Sequence, residues 1–278
     1  MRVVITGSSL GIGKAVAGKL IENGHEVWGL ARRRQVRLRP QRADATCGHF
    51  RSSVCDVSNW ASVRKAVLAI NKEWGAIDAL ITCAARQGVI GPAVTLDPGE
   101  WSKTVRVILD GTLNSIAGFF PLLRNSSQRV KVICFSGGGA TSPRPNFSAY
   151  AAAKAGVVRL VETLAEEWRD FQIDINAVAP GALPTQMTAE VLALGPEGAG
   201  AREYAMAKKT MSTGSEAFEK ICALIDFLLS PQSDGISGRL ISATWDSWQN
   251  LESRKADLAG SDVFTLRRIT PGDRGMTF

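Results

Sequence analysis

Short apolar runs alternate with longer stretches of helical spacing along most of the chain. The longer stretches place apolar residues three and four positions apart, as Val157, Leu160, Val161 and Leu164 do. The apolar runs predict strands at residues 2–5, 26–30, 50–54, 79–82, 130–135, 174–178 and 239–242. The stretches between them predict helices at residues 12–23, 60–74, 100–122, 150–170 and 216–229. Strands separated by helices indicate an α/β fold, in which helices cover both faces of a doubly wound parallel sheet of about seven strands.

No repeat, low-complexity tract or long linker interrupts this pattern, so we expect a single domain over residues 1–248. Residues 249–278 are rich in Arg, Asp and Gly, and we expect an extension that packs on the same domain or on a neighbouring subunit. The connection at residues 182–214 is rich in Met, Ala, Gly and Lys. That content suits either a mobile lid over a site or a disordered connector.

The composition excludes several classes of protein. With 45% hydrophobic and 21% charged residues among 278, the chain is typical of a soluble globular protein. No apolar run reaches about 18 residues and no signal-peptide pattern is present, so we expect a cytoplasmic protein without a membrane partner. Five cysteines without a CxxC pair favour reduced thiols. Only two histidines are present, so the sequence predicts no metal site and offers little material for a Ser-His-Asp triad.

The net charge of +7 reflects one short basic stretch. Its six arginines are Arg32, Arg33, Arg34, Arg37, Arg39 and Arg42. Most of them suit a solvated surface or a mobile loop, while the first one or two suit phosphate recognition. A local cluster is weak support for nucleic-acid binding, and we expect no nucleic-acid partner.

A glycine-rich turn joins the first predicted strand to the first predicted helix, at residues 6–13. In that context glycines allow a tight turn and close approach of the backbone to a pyrophosphate, and the helix start offers free N–H groups. A purely structural turn is the alternative. The predicted cofactor-binding residues of the turn are Gly7, Ser9, Leu10, Gly11, Ile12 and Gly13.

The end of the second predicted strand carries no acidic residue to bind a ribose 2′-hydroxyl. Arg32 and Arg33 stand there instead, and a guanidinium group pairs well with a 2′-phosphate. We therefore expect NADP(H) to be preferred over NAD(H), with Arg32 as the first candidate ligand and Arg33 as the second.

The glycine-rich turn is joined by two further motifs, Tyr150-Ala-Ala-Ala-Lys154 and the segment Asn-Ala-Val-Ala-Pro-Gly-Ala-Leu-Pro-Thr at residues 176–185. In this order the three motifs resemble the short-chain dehydrogenase/reductase family over about residues 1–248. The resemblance implies a Rossmann fold and nicotinamide-dependent carbonyl/alcohol chemistry. It also implies that Asp56 contacts the adenine and that Val57 and Ala84 bind the cofactor as well, Ala84 within a mostly structural motif at the end of the fourth strand.

Tyr150 and Lys154 are placed on one face of a helix by their spacing. A free phenol has a pKa of about 10, so proton exchange near neutral pH needs a nearby cation, which Lys154 can supply. Tyr150 is then the general acid in reduction, and Lys154 also binds the nicotinamide ribose. The alternatives are a tyrosine that only packs in the core and a lysine that only faces solvent.

The loop after the sixth predicted strand contains Pro180, Gly181 and Thr185. In open α/β folds ligands bind at the carboxyl ends of strands, and in the family this loop contacts the nicotinamide carboxamide. A purely structural turn is again the alternative.

Two catalytic positions depart from the family pattern. Gly137 stands where the family has the serine that holds the substrate oxygen, and Ile108 stands where it has an asparagine of the proton relay. Ser136 is a candidate substitute if the glycine-rich turn at residues 137–139 changes the strand geometry, which would otherwise direct its side chain to the opposite face. Water, a backbone N–H group of that turn, or a substrate hydroxyl are further candidates.

The sequence thus predicts an oxidoreductase that transfers a hydride between NADP(H) and a small carbonyl or alcohol, such as a sugar-like or secondary-metabolite intermediate. The departures leave two alternatives open. One is a catalytically weak nucleotide-binding protein that acts as a sensor or assembly subunit. The other is an epimerase or dehydratase that recycles a bound cofactor. The resemblance further implies a homodimer or homotetramer.

Overall fold

The computed structural model describes residues 1–33, 35, 47–212 and 216–277. These residues form one sheet of seven parallel strands in the order β3-β2-β1-β4-β5-β6-β7. The strands are β1 (Arg2–Thr6), β2 (Glu26–Ala31), β3 (Phe50–Val54), β4 (Ala79–Thr82), β5 (Val130–Phe135), β6 (Ile173–Ala179) and β7 (Leu240–Ser242). The prediction of a doubly wound parallel α/β sheet is confirmed.

Helices cover both faces of the sheet and connect the successive strands, except that the described residues between β2 and β3 contain none. They are α1 (Gly11–Glu22), α2 (Trp60–Trp74), α3 (Pro98–Val105), α4 (Gly111–Arg124), α5 (Ser148–Glu167), α6 (Gln186–Ala193), α7 (Gly195–Ala199), α8 (Ala201–Met211), α9 (Glu216–Leu229) and α10 (Lys255–Leu258). The single helix predicted at residues 100–122 is interrupted, because Arg106–Asp110 forms a π-helical segment between α3 and α4. Thr112 closes this segment by donating its hydroxyl to the carbonyl of Ile108 at 2.7 Å.

Side-chain alternation along β1 divides the core into two layers. Val3 and Ile5 face the layer built with α1 and α9, whereas Val4 faces the layer built with α2, α4 and α5. All three are fully buried. Both faces of the strand are therefore apolar, as a parallel sheet requires, and the carboxyl ends of all strands meet at one edge.

The connection after β6 is helical over α6, α7 and α8, so a disordered connector is wrong for residues 186–211. These helices bury a small apolar cluster of their own against the loop before α5, formed by Phe147, Val191, Ala199 and Ala207. Residues 213–214 of the predicted connection lie outside the described residues.

The C-terminal segment packs on the same chain along the β7 edge. Leu240 donates its backbone N–H to the Phe264 carbonyl at 2.8 Å. The Arg239 guanidinium donates to the carbonyls of Leu258, Ser261 and Val263 at 2.6, 2.8 and 2.7 Å. Arg239 thereby holds residues 258–263, directly after α10, against the β7 edge. Phe278, the last residue of the predicted extension, lies outside the described part of the chain.

We expect Arg239→Gln to lower the free energy of unfolding by about 2 kcal/mol, because three carbonyl groups lose a charged donor. Urea denaturation measures this loss, and hydrogen exchange should rise selectively in residues 255–266. Arg202→Gln, a change of an exposed arginine on α8, is the matched control. Equal stability of the two variants would show that Arg239 does not hold the segment.

Candidate active site

A cleft with a volume of about 670 Å³ opens at the carboxyl edge of the sheet, where the strand order reverses between β1 and β4. The cleft brings together nearly all the residues that the sequence singles out. They are Gly7, Ser9, Leu10, Gly11, Ile12, Gly13, Arg32, Arg33, Asp56, Val57, Ala84, Ser136, Tyr150, Lys154, Pro180 and Thr185. Gly181 is not among the described residues that line it. Gly181 has a positive φ of 78°, and a Cβ there would lie 2.7 Å from the Thr244 hydroxyl. This turn therefore favours glycine for structural reasons.

The glycine-rich turn is packed too closely for side chains. A Cβ at Gly7 would lie 2.8 Å from the Ala84 backbone, and one at Gly13 would lie 2.4 Å from the Gly7 carbonyl oxygen. Helix α1 begins directly after Leu10, whose side chain gives no cap among the described residues. The first turn of α1 lines the cleft, and the Leu10 side chain does not cap its N–H groups, which suits a bound anion.

Arg32 and Arg33 follow β2 and are exposed beside this turn. The chain beyond them is tied back to the turn, because Ser8 donates its hydroxyl to the Gln35 amide oxygen at 2.8 Å. Arg34, Arg37, Arg39 and Arg42, which the sequence groups with them, lie outside the described residues.

The loop after β3 holds Asp56 and Val57 in place. Ser58 donates to the Asp56 carboxylate from its backbone N–H at 2.9 Å and from its hydroxyl at 2.6 Å. Asn114 of α4 donates its side-chain amide to the Val57 carbonyl at 2.9 Å. This wall of the cleft is thus fixed by hydrogen bonds before any ligand binds.

Tyr150 and Lys154 lie on the first turns of α5, at the floor of the cleft. The Lys154 ammonium group lies 5.7 Å from the centre of the Tyr150 ring and donates to the Phe135 carbonyl at 2.6 Å. Burial lowers the pKa of Lys154 to about 8, although the neighbouring thiols Cys83 and Cys134 oppose this change. Burial raises the pKa of Tyr150 to about 12, with Arg144 acting in the opposite direction. Tyr150 is therefore a protonated hydrogen-bond donor at neutral pH.

Gly137 leaves room for the Tyr150 hydroxyl. A Cβ at position 137 would lie 2.4 Å from that oxygen and 3.1 Å from two carbons of the ring. A serine side chain at this position would require Tyr150 to move. The Tyr150 hydroxyl thus lies where the side chain of the family's usual serine would begin.

Ser136 follows the last residue of β5, so regular strand alternation no longer fixes the direction of its side chain. The residue lines the same cleft as Tyr150, is 3% exposed, and its hydroxyl has no hydrogen-bond partner within the described chain. A buried hydroxyl without a partner costs free energy, which a ligand atom can restore.

Sequence reasoning missed Gln87, in the loop after β4. Gln87 lines the cleft, is 4% exposed, and its side-chain nitrogen has no partner in the part of the chain that the structure describes. Gly88, at a φ of 74°, fixes this loop, since a Cβ there would lie 1.9 Å from the Thr104 hydroxyl of α3. Gln87 belongs to no motif, so no sequence signal separates it from an ordinary loop residue.

Ile108 is 1% exposed and lies in the π-helical segment, where it packs in the same core layer as Val157 of α5. An apolar core residue therefore occupies the position that the resemblance assigns to the relay asparagine. Cys83, likewise in place of a family asparagine, donates its backbone N–H to the Thr6 hydroxyl at 3.1 Å.

Comparison with known proteins identifies the family. The model of a family described as short chain dehydrogenase matches residues 1–193. The chain belongs to the short-chain dehydrogenase family. Among curated relatives, levodione reductase from Leifsonia aquatica is 31% identical over 246 residues, covering 86% of this chain and 91% of its own. A Bacillus subtilis (strain 168) protein named "Probable 2,4-dienoyl-CoA reductase" is 31% identical over 253 residues, covering 89% and 96%.

Solved structures of this family agree with the fold. A levodione reductase structure superposes with a TM-score of 0.73 at 25% identity, covering 89% of this chain and 96% of that chain. A structure of NAD⁺-bound xylitol dehydrogenase superposes with a TM-score of 0.74 at 21% identity, covering 87% and 96%. The chain is thus an oxidoreductase of the short-chain dehydrogenase family, whose members use nicotinamide cofactors on small carbonyl or alcohol substrates.

The described residues contain neither a metal-binding cluster nor a membrane-spanning helix. No group of three or more His, Cys, Asp or Glu side chains there is arranged to hold a metal ion. Within the same residues, no helix has the length and apolar character needed to cross a membrane.

The buried Lys154 should leave a pH signature on stability. Its pKa is about 8 in the folded chain and about 10.5 when solvated, so the unfolded state holds more protons between these values. The contribution of Lys154 to stability therefore rises as the pH rises through this window. The free energy of unfolding is measured by urea titration for the wild type and for Lys154→Met. We expect the wild-type value minus the variant value to increase from pH 8 to pH 10.

Tyr150, Cys83 and Cys134 have pKa values of about 12, 12 and 11 in the folded chain, so they stay mostly protonated from pH 8 to pH 10 and contribute little to this difference. Lys72→Met, which changes an exposed lysine of α2, should give a difference that does not vary with pH. A flat or falling difference for Lys154→Met would contradict the lowered pKa of Lys154.

Proposed function

We propose that this short-chain dehydrogenase is an NADP(H)-dependent enzyme that interconverts a small carbonyl compound and its alcohol. The observation that carries the proposal is the pair of partly buried Tyr150 and buried Lys154, which lies in the same cleft as the glycine-rich turn. A proton donor and a nucleotide-phosphate site thus share one cavity. Proton transfer next to a bound nicotinamide is the chemistry that this pairing supports.

The residues present fit a dinucleotide. Gly7 and Gly13 leave the backbone open to a pyrophosphate, the N-terminus of α1 offers N–H groups, and Asp56 stands at the adenine end. Pro180 and Thr185 line the opposite end, where the nicotinamide carboxamide would lie. When bound, the nicotinamide ring supplies the hydride or accepts it.

Preference for a 2′-phosphate is supported by Arg32 and Arg33. Both are exposed at the end of β2 and line the cleft, and no acidic residue stands at this strand end. A guanidinium group pairs with phosphate through two parallel N–H donors, whereas a ribose hydroxyl is better bound by a carboxylate.

In the direction of reduction, Tyr150 donates its phenolic proton to the oxygen of the carbonyl group. The Lys154 ammonium group stabilises the phenolate that remains and favours the transfer electrostatically. Lys154 is buried and Tyr150 partly buried, so their interaction is stronger than it would be on a fully exposed surface.

The substrate oxygen needs a second donor, because Gly137 has no side chain. Ser136 and Gln87 meet this need: both are buried, both line the cleft, and each has a polar atom without a partner in the described residues. We propose that Ser136 and Gln87 bind the carbonyl oxygen or a neighbouring hydroxyl of the substrate. Two such groups suit a small substrate with more than one oxygen atom, and one relative is named levodione reductase.

Two further properties are proposed on the family resemblance and on the cysteine pattern. The chain is expected to form a homodimer or homotetramer through the surfaces of α4 and α5. A cytoplasmic location follows from the five scattered cysteines, which form no CxxC pair.

Cofactor preference is tested by fluorescence transfer from the seven tryptophans to bound NADPH or NADH. We expect Arg32→Ala to weaken NADPH binding about 10- to 100-fold, the loss of one charge-assisted contact, and to change NADH binding less than about threefold. Arg64→Ala, which removes an exposed arginine from α2, is the control and should change neither. Equal losses for both nucleotides would contradict a role of Arg32 in recognising the 2′-phosphate.

Catalysis is tested with NADPH and a panel of cyclic ketones, hydroxyketones and aldoses, followed by nicotinamide absorbance. Tyr150→Phe should lower kcat about 1000-fold, because it removes the general acid. Gln87→Leu should lower kcat/KM about 10- to 100-fold, and Ser136→Ala about tenfold, with NADPH affinity unchanged. Gln172→Leu, an exposed change far from the cleft, is the control.

These measurements also separate the alternatives. Wild-type turnover that persists in Tyr150→Phe would reject the proposed mechanism. Nucleotide binding without turnover of any substrate would favour a sensor or assembly subunit. Product formation without net change in nicotinamide absorbance would indicate an epimerase or dehydratase with recycled cofactor.

A further inference from the structure

An arginine outside all recognised motifs lies against the Tyr150 ring. The Arg144 guanidinium carbon is 5.6 Å from the centre of that ring and 3.8 Å from the centre of the Phe147 ring. Its Nε and Nη2 atoms both donate to one oxygen of Glu203, at 3.0 and 2.8 Å. The side chains are only 18% and 16% exposed, so this ion pair is largely shielded from solvent.

The glycine-rich turn at residues 137–139 makes room for this arrangement. A Cβ at Gly139 would lie 3.2 Å from the Arg144 Cβ, and one at Gly138 would lie 3.8 Å from three atoms of the Arg144 side chain. A Cβ at Gly137 would meet the Tyr150 hydroxyl. Gly137 is required by the position of Tyr150, Gly139 leaves room for Ala151 and Arg144, and a side chain at position 138 would only touch Arg144. Arg144 and Tyr150 therefore lie against the same stretch of backbone.

We propose that Arg144 is a positioning residue for Tyr150, because its positive charge favours ionisation of the phenol, and that Glu203 of α8 regulates this effect by partly neutralising Arg144. The inference rests on the proposed role of Tyr150 as general acid. It adds a second cation beside Lys154 and assigns α8 a part in the chemistry. A stronger acid transfers its proton to the substrate more readily.

The charged and titratable groups that face Tyr150 come from four elements. Lys154 lies on its own helix, and Cys83 follows β4. Arg144 precedes α5, and Glu203 reaches it from α8. Burial raises the pKa of Cys83 to about 12, so this thiol stays largely neutral in the titrated range. The pKa of Lys154 is about 8, so above pH 9 Arg144 is the cation that remains beside Tyr150.

The proposal is tested without substrate or cofactor, since the chain has only two tyrosines. Tyrosine labelled with ¹³C at Cζ gives one NMR signal for each ring, and Tyr204→Phe assigns the signal of Tyr150. The ionised fraction of Tyr150 is followed from pH 9 to 11.5, with circular dichroism to confirm folding. We compare the wild type with Arg144→Met, Arg144→Lys and Glu203→Gln.

We expect Arg144→Met to raise the pKa of Tyr150 and Glu203→Gln to lower it, each by about one unit. Arg144→Lys retains the cation and should preserve most of the wild-type value. A purely structural clamp predicts a different sign, because loss of either partner would admit water to Tyr150 and lower its pKa in both variants. The sign for Arg144→Met therefore decides between the two roles.

Arg169→Met and Glu166→Gln are matched controls, since they break an exposed arginine–glutamate pair near the far end of α5. Neither should move the Tyr150 titration. A lowered or unchanged pKa in Arg144→Met overturns the proposal, and Arg144→Gln replaces that variant if it fails to fold. Failure of the proposed function is distinct, because it appears as turnover that does not depend on Tyr150.

Discussion

Burial of the Lys154 ammonium group is the constraint around which this active site is arranged. Removing a cation from water costs several kcal/mol, and the Phe135 carbonyl offsets part of that cost. The lysine reaches this carbonyl only if α5 lies directly over the end of β5. Tyr150, one turn earlier on the same helix, is then placed over the backbone that follows β5, and that backbone must be free of side chains. Gly137 satisfies this requirement.

The departures from the family pattern are therefore connected to one another. With Gly137, the tyrosine packs directly on the backbone, and the usual serine donor has no place in this arrangement. The polar groups around the substrate space come from elsewhere, from Ser136 just beyond the strand and from Gln87 in a loop held by Gly88. Gly138 and Gly139, the next two residues of the turn, lie beside the Arg144 side chain. Glycine in place of serine at position 137 thus goes together with different polar groups around the substrate space, while the Tyr150–Lys154 pair is kept.

The sequence predicted a parallel sheet of about seven strands and most of the residues that line the cleft, because these follow from local patterns. The glycine turn between a strand and a helix, and the Tyr150–Lys154 spacing on one helix face, are short-range features. The contacts that were missed are long-range. Arg144 and Glu203 are far apart in the chain, and Gln87 lines the cleft only because its loop packs on α3. The π-helical break within the predicted helix at residues 100–122 depends on hydrogen bonds between backbone and side chains that apolar periodicity does not report. The helices of residues 186–211 were missed because their small residues, Ala and Gly, leave little contrast between apolar and polar positions.

The hydrogen bond from Leu240 to Phe264 has a consequence for the behaviour of the protein at high concentration. A parallel sheet ends in two strands whose outer backbone groups are free to pair with another chain, and such edges nucleate aggregation. At the β7 edge, the C-terminal segment occupies part of this pairing position and is held there by Arg239. At the opposite edge, β3 carries Arg51 in ion pairs with Glu26 and Glu73, a charged fringe that disfavours the approach of a second strand. Loss of the C-terminal segment would therefore expose a strand edge, and the damage would appear first as self-association rather than as loss of catalysis.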